Sequence, residues 1–282
     1  MKLNNIILVP TDFSDPCANA IDHAIKIAQI VKFKVVLFHV INKDSELLFA
    51  GEKDINAAVE NKLKHLVSEL KKQNQGVEID YMFQEGSIFD LIHEVADNIG
   101  ANMILLGTHG KKGMQHLLGS YALKVITKSK VPTLVVQKKP YTGYKNILLP
   151  VNSFTEPRQH VGIAISVAKM FGSTIHIFKE VLKDPGEMSR IEIITKQIGE
   201  AFNKAGILFE VFASKKPGET AKELVEVAVE KNLDAILMVT DSQIGSSIFS
   251  IGSWNEKLLF NEAQIPVMCI NPIEYGQIYF DF

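Results

Sequence analysis

Two consecutive doubly wound, parallel-sheet α/β domains of Rossmann-like type are the fold that the sequence predicts, and three observations lead there. The first is an internal repeat: Lys2-Leu3-Asn4-Asn5-Ile6-Ile7-Leu8-Val9-Pro10 returns as Gly143-Tyr144-Lys145-Asn146-Ile147-Leu148-Leu149-Pro150. The second is the alternation of β-branched runs with amphipathic helical segments after each copy, which implies parallel strands joined by right-handed crossovers. The third is length, since 282 residues suit two domains of about 100 to 200 residues each. The expected strand order in each domain is 3-2-1-4-5, with the last strands pairing between domains.

The elements follow in matched order. After the first strand come helices over 18–30 and 161–171, then strands over 34–40 and 173–178. A longer helical segment follows in each half. Strands over 77–83 and 207–213, helices over 88–96 and 221–230, and buried strands over 103–106 and 235–239 come next. Each half closes on a Gly-Ser pair expected to open a helix (Gly119-Ser120, Gly252-Ser253), then on a proline and a short strand (132–136, 266–270). Residues 138–144 read as the linker, so the expected domains are 1–138 and 145–272, with 273–282 as an extension. Its Tyr275, Tyr279, Phe280 and Phe282 are expected to cover their own domain rather than make an oligomer contact.

Charge and cysteine content narrow the function. Thirty basic and 32 acidic residues nearly cancel and form no basic stripe, so nothing points to nucleic acid or a membrane surface. The first residues read as a strand, not a secretory signal, and no apolar run approaches the ~20 residues that span a bilayer. Cytoplasmic residence is the expectation. Cys17 and Cys269 are expected to be unpaired packing residues.

In a doubly wound sheet, ligands sit beyond the carboxyl ends of the strands where strand order reverses. That brings the loop Pro10-Thr11-Asp12-Phe13-Ser14 to face the segment Leu106-Gly107-Thr108-His109-Gly110. Glycine lets a ligand approach the backbone, and a helix opened by Gly119-Ser120 would offer free N–H groups to phosphate. Asp12 at a strand end suits a hydrogen bond from an adenine amino group or a ribose hydroxyl; the alternative is an Asx-turn or helix cap ahead of Ser14-Asp15-Pro16. Lys111 and Lys112 read as a solvated pair, His109 as an exposed loop residue and His39 as a packed core histidine. No histidine spacing suggests a metal cage.

Neither G-x-x-x-x-G-K-[ST] nor G-x-G-x-x-G is present. The combination of P-T-D-F-S after the first strand with G-x-x-G, a spacer and G-[ST] resembles the universal stress protein family, in tandem over nearly the whole chain. In the nucleotide-binding branch, the resemblance implies that Gly107, Gly110, Gly119 and Ser120 hold ribose and phosphates. It also implies that Asp12 and Val40 approach adenine, that Pro10 is among the binding residues, and that Leu106 and the Tyr121 backbone border the site. The spacer Lys111–Leu118 has eight residues, one fewer than the family's commonest spacing, which would narrow the phosphate pocket. The implied ligand is ATP, or AMP or ADP, with magnesium arriving on a triphosphate.

The second copy reads as degenerate. Counting back from Gly252 sets Thr240 at Gly107, Ser242 at His109 and Gln243 at Gly110, while Asn152 or Ser153 replaces Asp12. A weak or absent second nucleotide site is the expectation, against a remodelled site built on Gly245, Gly252 and Ser253. The leading function is a cytoplasmic, adenine-nucleotide-binding sensor or regulator acting on an unidentified protein partner, the two halves forming an intramolecular pair or the chain a homodimer. A nucleotide-free interaction module and a slow ATPase are the alternatives; for turnover beyond weak hydrolysis, no Walker lysine, water-positioning base or metal carboxylate pair is evident.

Overall fold

The computed structural model describes residues 3–108, 116–153, 155–217, 219–240 and 253–271. Its contacts divide the chain into two compact units, Met1–Pro140 and Tyr141–Phe282. The first unit runs β1 (Ile6–Pro10), α1 (Asp15–Val31), β2 (Lys34–Ile41), α2 (Lys43–Leu48), α3 (Ile55–Gln73), β3 (Ile79–Glu85), α4 (Ile88–Ile99), β4 (Ala101–Gly107), α5 (His116–Lys128) and β5 (Thr133–Val136). The second runs β6 (Asn146–Val151), α6 (Pro157–Phe171), β7 (Thr174–Lys179), α7 (Pro185–Ala205), β8 (Phe209–Ala213), α8 (Thr220–Glu230), β9 (Ala235–Val239), α9 (Ser253–Leu259) and β10 (Val267–Ile270).

Within the first unit the strands lie in the order β3-β2-β1-β4-β5, all parallel. The second repeats it as β8-β7-β6-β9-β10. The apolar runs explain why the inner strands are inner. Ile7, Leu8 and Val9 of β1 are wholly buried, and each such side chain contributes about 1.5–3 kcal/mol relative to exposure. The outer strand β8 instead leaves Val211 exposed.

Local signals set the helix ends. Pro16 sits in the first turn of α1, where its missing N–H costs nothing, and Lys32 ends the helix at φ 59°. Asp54, Ser87 and Asp184 cap α3, α4 and α7 through hydrogen bonds to the N–H groups of Ala57, Phe89 and Glu187. Gly100 and Gly206 close α4 and α7 in the left-handed region that glycine enters cheaply.

Three boundaries differ from the sequence reading. The short helix α2, at the turn out of β2, was not anticipated. Tyr144, read as linker, is one of the largest fully buried side chains, packed edge-on against Tyr141 and Phe171; the second unit therefore starts before residue 145. In the first copy α5 begins at His116, three residues ahead of Gly119. The N–H groups of its first turn that lack an intrahelical partner thus belong to residues no later than Leu118, and Gly119-Ser120 lie inside the helix. In the second copy Ser253 is the first described residue of α9, and Gly252 lies outside the described residues.

The strand register also corrects the alignment of the two copies. Ile7 faces Met103, and Ile147 faces Ala235. Counting up from those pairs, Gly107 corresponds to Val239 and Thr108 to Thr240. The backbone agrees: the Thr108 N–H donates to the Val136 carbonyl (2.9 Å) and the Thr240 N–H to the Ile270 carbonyl (2.8 Å). A loop of different length between strand and helix misled the count from Gly252.

Candidate functional site

At the carboxyl ends of β1, β2 and β4 in the first unit lies a cavity of about 490 Å3. Its floor is apolar: Leu106 from β4, Ile88 and Ile92 from α4, Ala122 and Val125 from α5. Its polar lining comes from Asp12 in the loop after β1, Asn42, Asp44 and Ser45 at the start of α2, and Thr108 after β4. An apolar chamber with a few convergent polar groups is what a small-molecule site requires.

Of the residues singled out in the sequence, Pro10, Asp12, Val40, Leu106 and Gly107 all line this cavity. Gly110 lies outside the described residues. Gly119, Ser120 and Tyr121 fall on α5, whose later residues Ala122 and Val125 form part of the wall. Sequence reasoning missed the contribution of α2. The signal was present as Asn42 three residues before Ser45, whose side chains form a reciprocal capping box: the Asn42 carbonyl oxygen accepts from the N–H groups of Asp44 (3.0 Å) and Ser45 (3.1 Å), and Ser45 Oγ accepts from the Asn42 N–H (3.2 Å).

The loop after β1 is fixed before any ligand arrives. Asp12 Oδ1 accepts from the Ser14 N–H (2.9 Å), so the Asx-turn foreseen as an alternative role is formed, while the residue stays exposed at the cavity rim. Burial of its carboxyl pushes the pKa up, but hydrogen bonds from Ser14 and from the Cys17 thiol outweigh it and hold Asp12 below the usual carboxylate value. Cys17 is pushed up to about 12 by burial and by the Asp12 charge, so it stays a neutral thiol. Both cysteines are free and buried, as expected. Phe13 occupies φ 66°, an uncommon conformation for a bulky residue. Its ring lies 4.8 Å from that of His39, with the Lys62 ammonium 4.7 Å from its face.

Gly107 is bare for a reason other than ligand approach. A Cβ there would come within 2.3 Å of the Pro16 carbonyl oxygen and 2.6 Å of the Cys17 nitrogen. The missing side chain lets α1 begin directly over the end of β4.

Val40 offers a different kind of contact. The Thr11 N–H donates to the Phe38 carbonyl (2.8 Å), and the Gly86 N–H to the Ile41 carbonyl (3.1 Å). In a parallel ladder successive residues turn their backbone groups to opposite neighbours. Val40 therefore directs its N–H and C=O toward the side that β1 vacates after Pro10, a donor and an acceptor side by side at the cavity wall.

His39, 3% exposed, joins the two polar loops. Its Nδ1 lies 2.7 Å from the Thr11 carbonyl and its Nε2 3.0 Å from Ser45 Oγ. Burial lowers its pKa, and the neutral ring must carry its proton on Nδ1, because a carbonyl can only accept.

In the second unit Asn152 stands at the Asp12 position. Its N–H donates to Thr155 Oγ1 (2.9 Å), whose hydroxyl donates back to Asn152 Oδ1 (3.1 Å). Val239 stands at the Gly107 position, and α6 begins at Pro157, two positions later than α1 does when the two are matched at their left-handed ends Lys32 and Gly172. No group of three or more potential metal-binding His, Cys, Asp or Glu side chains occurs among the described residues.

The comparisons with known proteins agree with this geometry. A sequence model of the Universal stress protein family matches residues 4–137. The chain is 31% identical over 153 residues to universal stress protein MJ0577 of Methanocaldococcus jannaschii, the match spanning 47% of this chain and 94% of that protein. It is 33% identical over 138 residues to universal stress protein MJ0531 of the same organism, spanning 47% and 81%. In fold, it is similar to the crystal structure of a universal stress protein from Archaeoglobus fulgidus, with a TM-score of 0.73 at 20% identity, covering 95% of this chain and 97% of that one. With the strand order, the loop after β1 and near full-length similarity to a curated relative in agreement, the chain belongs to the universal stress protein family.

Proposed function

We propose that the first unit binds an adenine nucleotide in this cavity and that its occupancy regulates a protein partner in the cytoplasm, as a sensor of stress. The observation that carries the reading is the convergence of Pro10, Asp12, Val40, Leu106 and Gly107 on one apolar chamber. The base lies against Ile88, Ile92 and Leu106 with its edge on the Val40 backbone, whose paired donor and acceptor suit the N1 and amino group of adenine. Asp12 accepts from a ribose hydroxyl or the base amino group. The phosphates run past Gly107 and Thr108 toward Gly110 and the start of α5, where first-turn N–H groups without an intrahelical partner favour an anion; Gly119, Ser120 and Tyr121 lie inside α5 and border this end without lending it those N–H groups. ATP is the expected ligand, AMP and ADP its competitors, with magnesium held through the phosphates.

Binding rather than turnover is the proposed activity, with at most weak ATP hydrolysis. One observation favours the nucleotide-free interaction module instead: the bare face of Gly107 is filled by α1, so that glycine is explained without a ligand. Calorimetric titration of the nucleotide-stripped chain with Mg-ATP separates the two. About one site per chain is expected, since Val239 and Asn152 replace Gly107 and Asp12 in the second unit. Asp12→Ala should weaken binding about tenfold or more, as for a lost hydrogen bond to a charged group. Two equal sites would overturn the degenerate second copy, and no heat at several temperatures would favour the interaction module.

A further inference from the structure

Ser45 and His39 extend the Val40 carbonyl into a chain of hydrogen bonds at the cavity wall, and the binding reading uses neither of these two side chains. Ser45 is 3% exposed, and its Oγ lies 3.0 Å from His39 Nε2, 3.1 Å from the Val40 carbonyl and 3.3 Å from Asn42 Oδ1. A hydroxyl has one proton to give to these three acceptors. Asn42 Oδ1 is the farthest and already accepts two backbone N–H groups, so the choice lies between the ring and the carbonyl.

The protonation state of the ring makes that choice. With Nδ1–H donating to the Thr11 carbonyl, the neutral ring leaves a buried acceptor at Nε2, and the Ser45 hydroxyl must satisfy it. When Nε2 takes up a proton it becomes a donor to Ser45 Oγ. The hydroxyl then turns its own proton to the Val40 carbonyl. No bond but that to the incoming proton is made, and the site gains one positive charge.

We propose that His39 and Ser45 are positioning residues that make recognition of the adenine amino group depend on pH: a neutral His39 leaves the Val40 carbonyl open to the base, and a protonated His39 caps that carbonyl with the Ser45 hydroxyl. This rests on the adenine reading of the cavity. Among the described residues, the charged groups acting on His39 are Asp12 on the loop after β1, which favours the charged ring, and Lys62 on α3, which opposes it; Cys17 on α1 and Asp44 on α2 line the same cavity. Asp12 is already ionised above its lowered pKa and Cys17 stays a thiol, so neither titrates with the histidine.

The test compares the full chain with Ser45→Ala in two measurements between pH 8 and pH 5.5. The first is ATP affinity by calorimetry. The wild type should lose about fivefold more affinity than Ser45→Ala on acidification, the size of one net hydrogen bond. Protonation of the phosphates and of other carboxylates is common to both proteins and cancels. The second needs no ligand: the carbon shift of the Val40 carbonyl should titrate together with the His39 ring in the wild type and stay flat in Ser45→Ala. Equal pH slopes for binding, or a Val40 carbonyl that ignores the ring, overturn the proposal. A chain that binds no ATP at any pH while Val40 still follows His39 overturns the adenine reading and leaves the proton relay standing.

Discussion

Gly107 shows how one residue decides what a helix can do. Its absent Cβ admits the first turn of α1, with the Pro16 carbonyl oxygen 2.3 Å from where that carbon would be. Backbone on both sides leaves nothing to move cheaply, so Gly107→Ala is expected to destabilise the chain by about 1–3 kcal/mol, as overpacking does. Urea denaturation measures it, and an unchanged midpoint would refute the contact. The second unit carries the natural counterpart: Val239 provides a side chain at that position, and α6 begins two positions later, so that the residue matched to Pro16 lies outside the helix. The sequence disclosed the glycine but not its purpose, because a ligand and a helix demand bareness alike. Asp12 was open in the same way, and the Asx-turn shows that its structural role is filled while the carboxylate remains exposed at the rim.

Among the elements, α2 is held by its ends more than by a core. It spans six residues, buries only Ser45, and exposes Leu47 and Leu48. Its capping box therefore carries much of its stability, and Asn42→Ala should cost about 1 kcal/mol. Because few tertiary contacts anchor this segment, the loss should appear as faster amide exchange at Asp44 and Ser45, with exchange in β1 and β4 unchanged. Uniform acceleration across the first unit would refute that local character. Six residues are too few to show a helical period, so α2 was not legible from apolar spacing although both members of its cap stood in the sequence. The start of α5 was misplaced for the opposite reason. Gly119-Ser120 carries the chemistry of a helix entrance, yet Leu117 and Leu118 are good helix formers, and the helix extends back through them to His116.

For the whole molecule, the repeat and the alternation of strand and helix sufficed to give two doubly wound parallel sheets, since the inner strands are continuous apolar runs. The cavity was legible in part: Asp12 and Leu106 stand at strand ends that the topology brings together, whereas Ile88, Ile92, Ala122 and Val125 are ordinary core-facing residues whose place around a ligand depends on packing between helices. Of the buried histidines, only His39 was legible in the sequence as a packed core residue. His23, His39, His160 and His176 are at most 8% exposed, and burial, the largest cause in each case, holds all four below the ordinary value of 6.5. His23 lies 3.0 Å from the Lys139 carbonyl and His160 2.9 Å from the Glu156 carbonyl, and His176 faces Asn146 Oδ1 at 3.2 Å. Below 6.5 the unfolded chain takes up protons at these sites before the folded one does, so stability rises with pH in that window. Their contribution is whole above 6.5 and is lost as the pH falls through the lower values that burial imposes. Denaturation midpoints should therefore drop between pH 7 and pH 5, ahead of the carboxylate range. His160→Asn, which keeps a donor near the Glu156 carbonyl, and His23→Gln, which keeps one near that of Lys139, should each flatten part of the slope; a wild-type midpoint constant over that interval would show that burial does not hold these rings neutral.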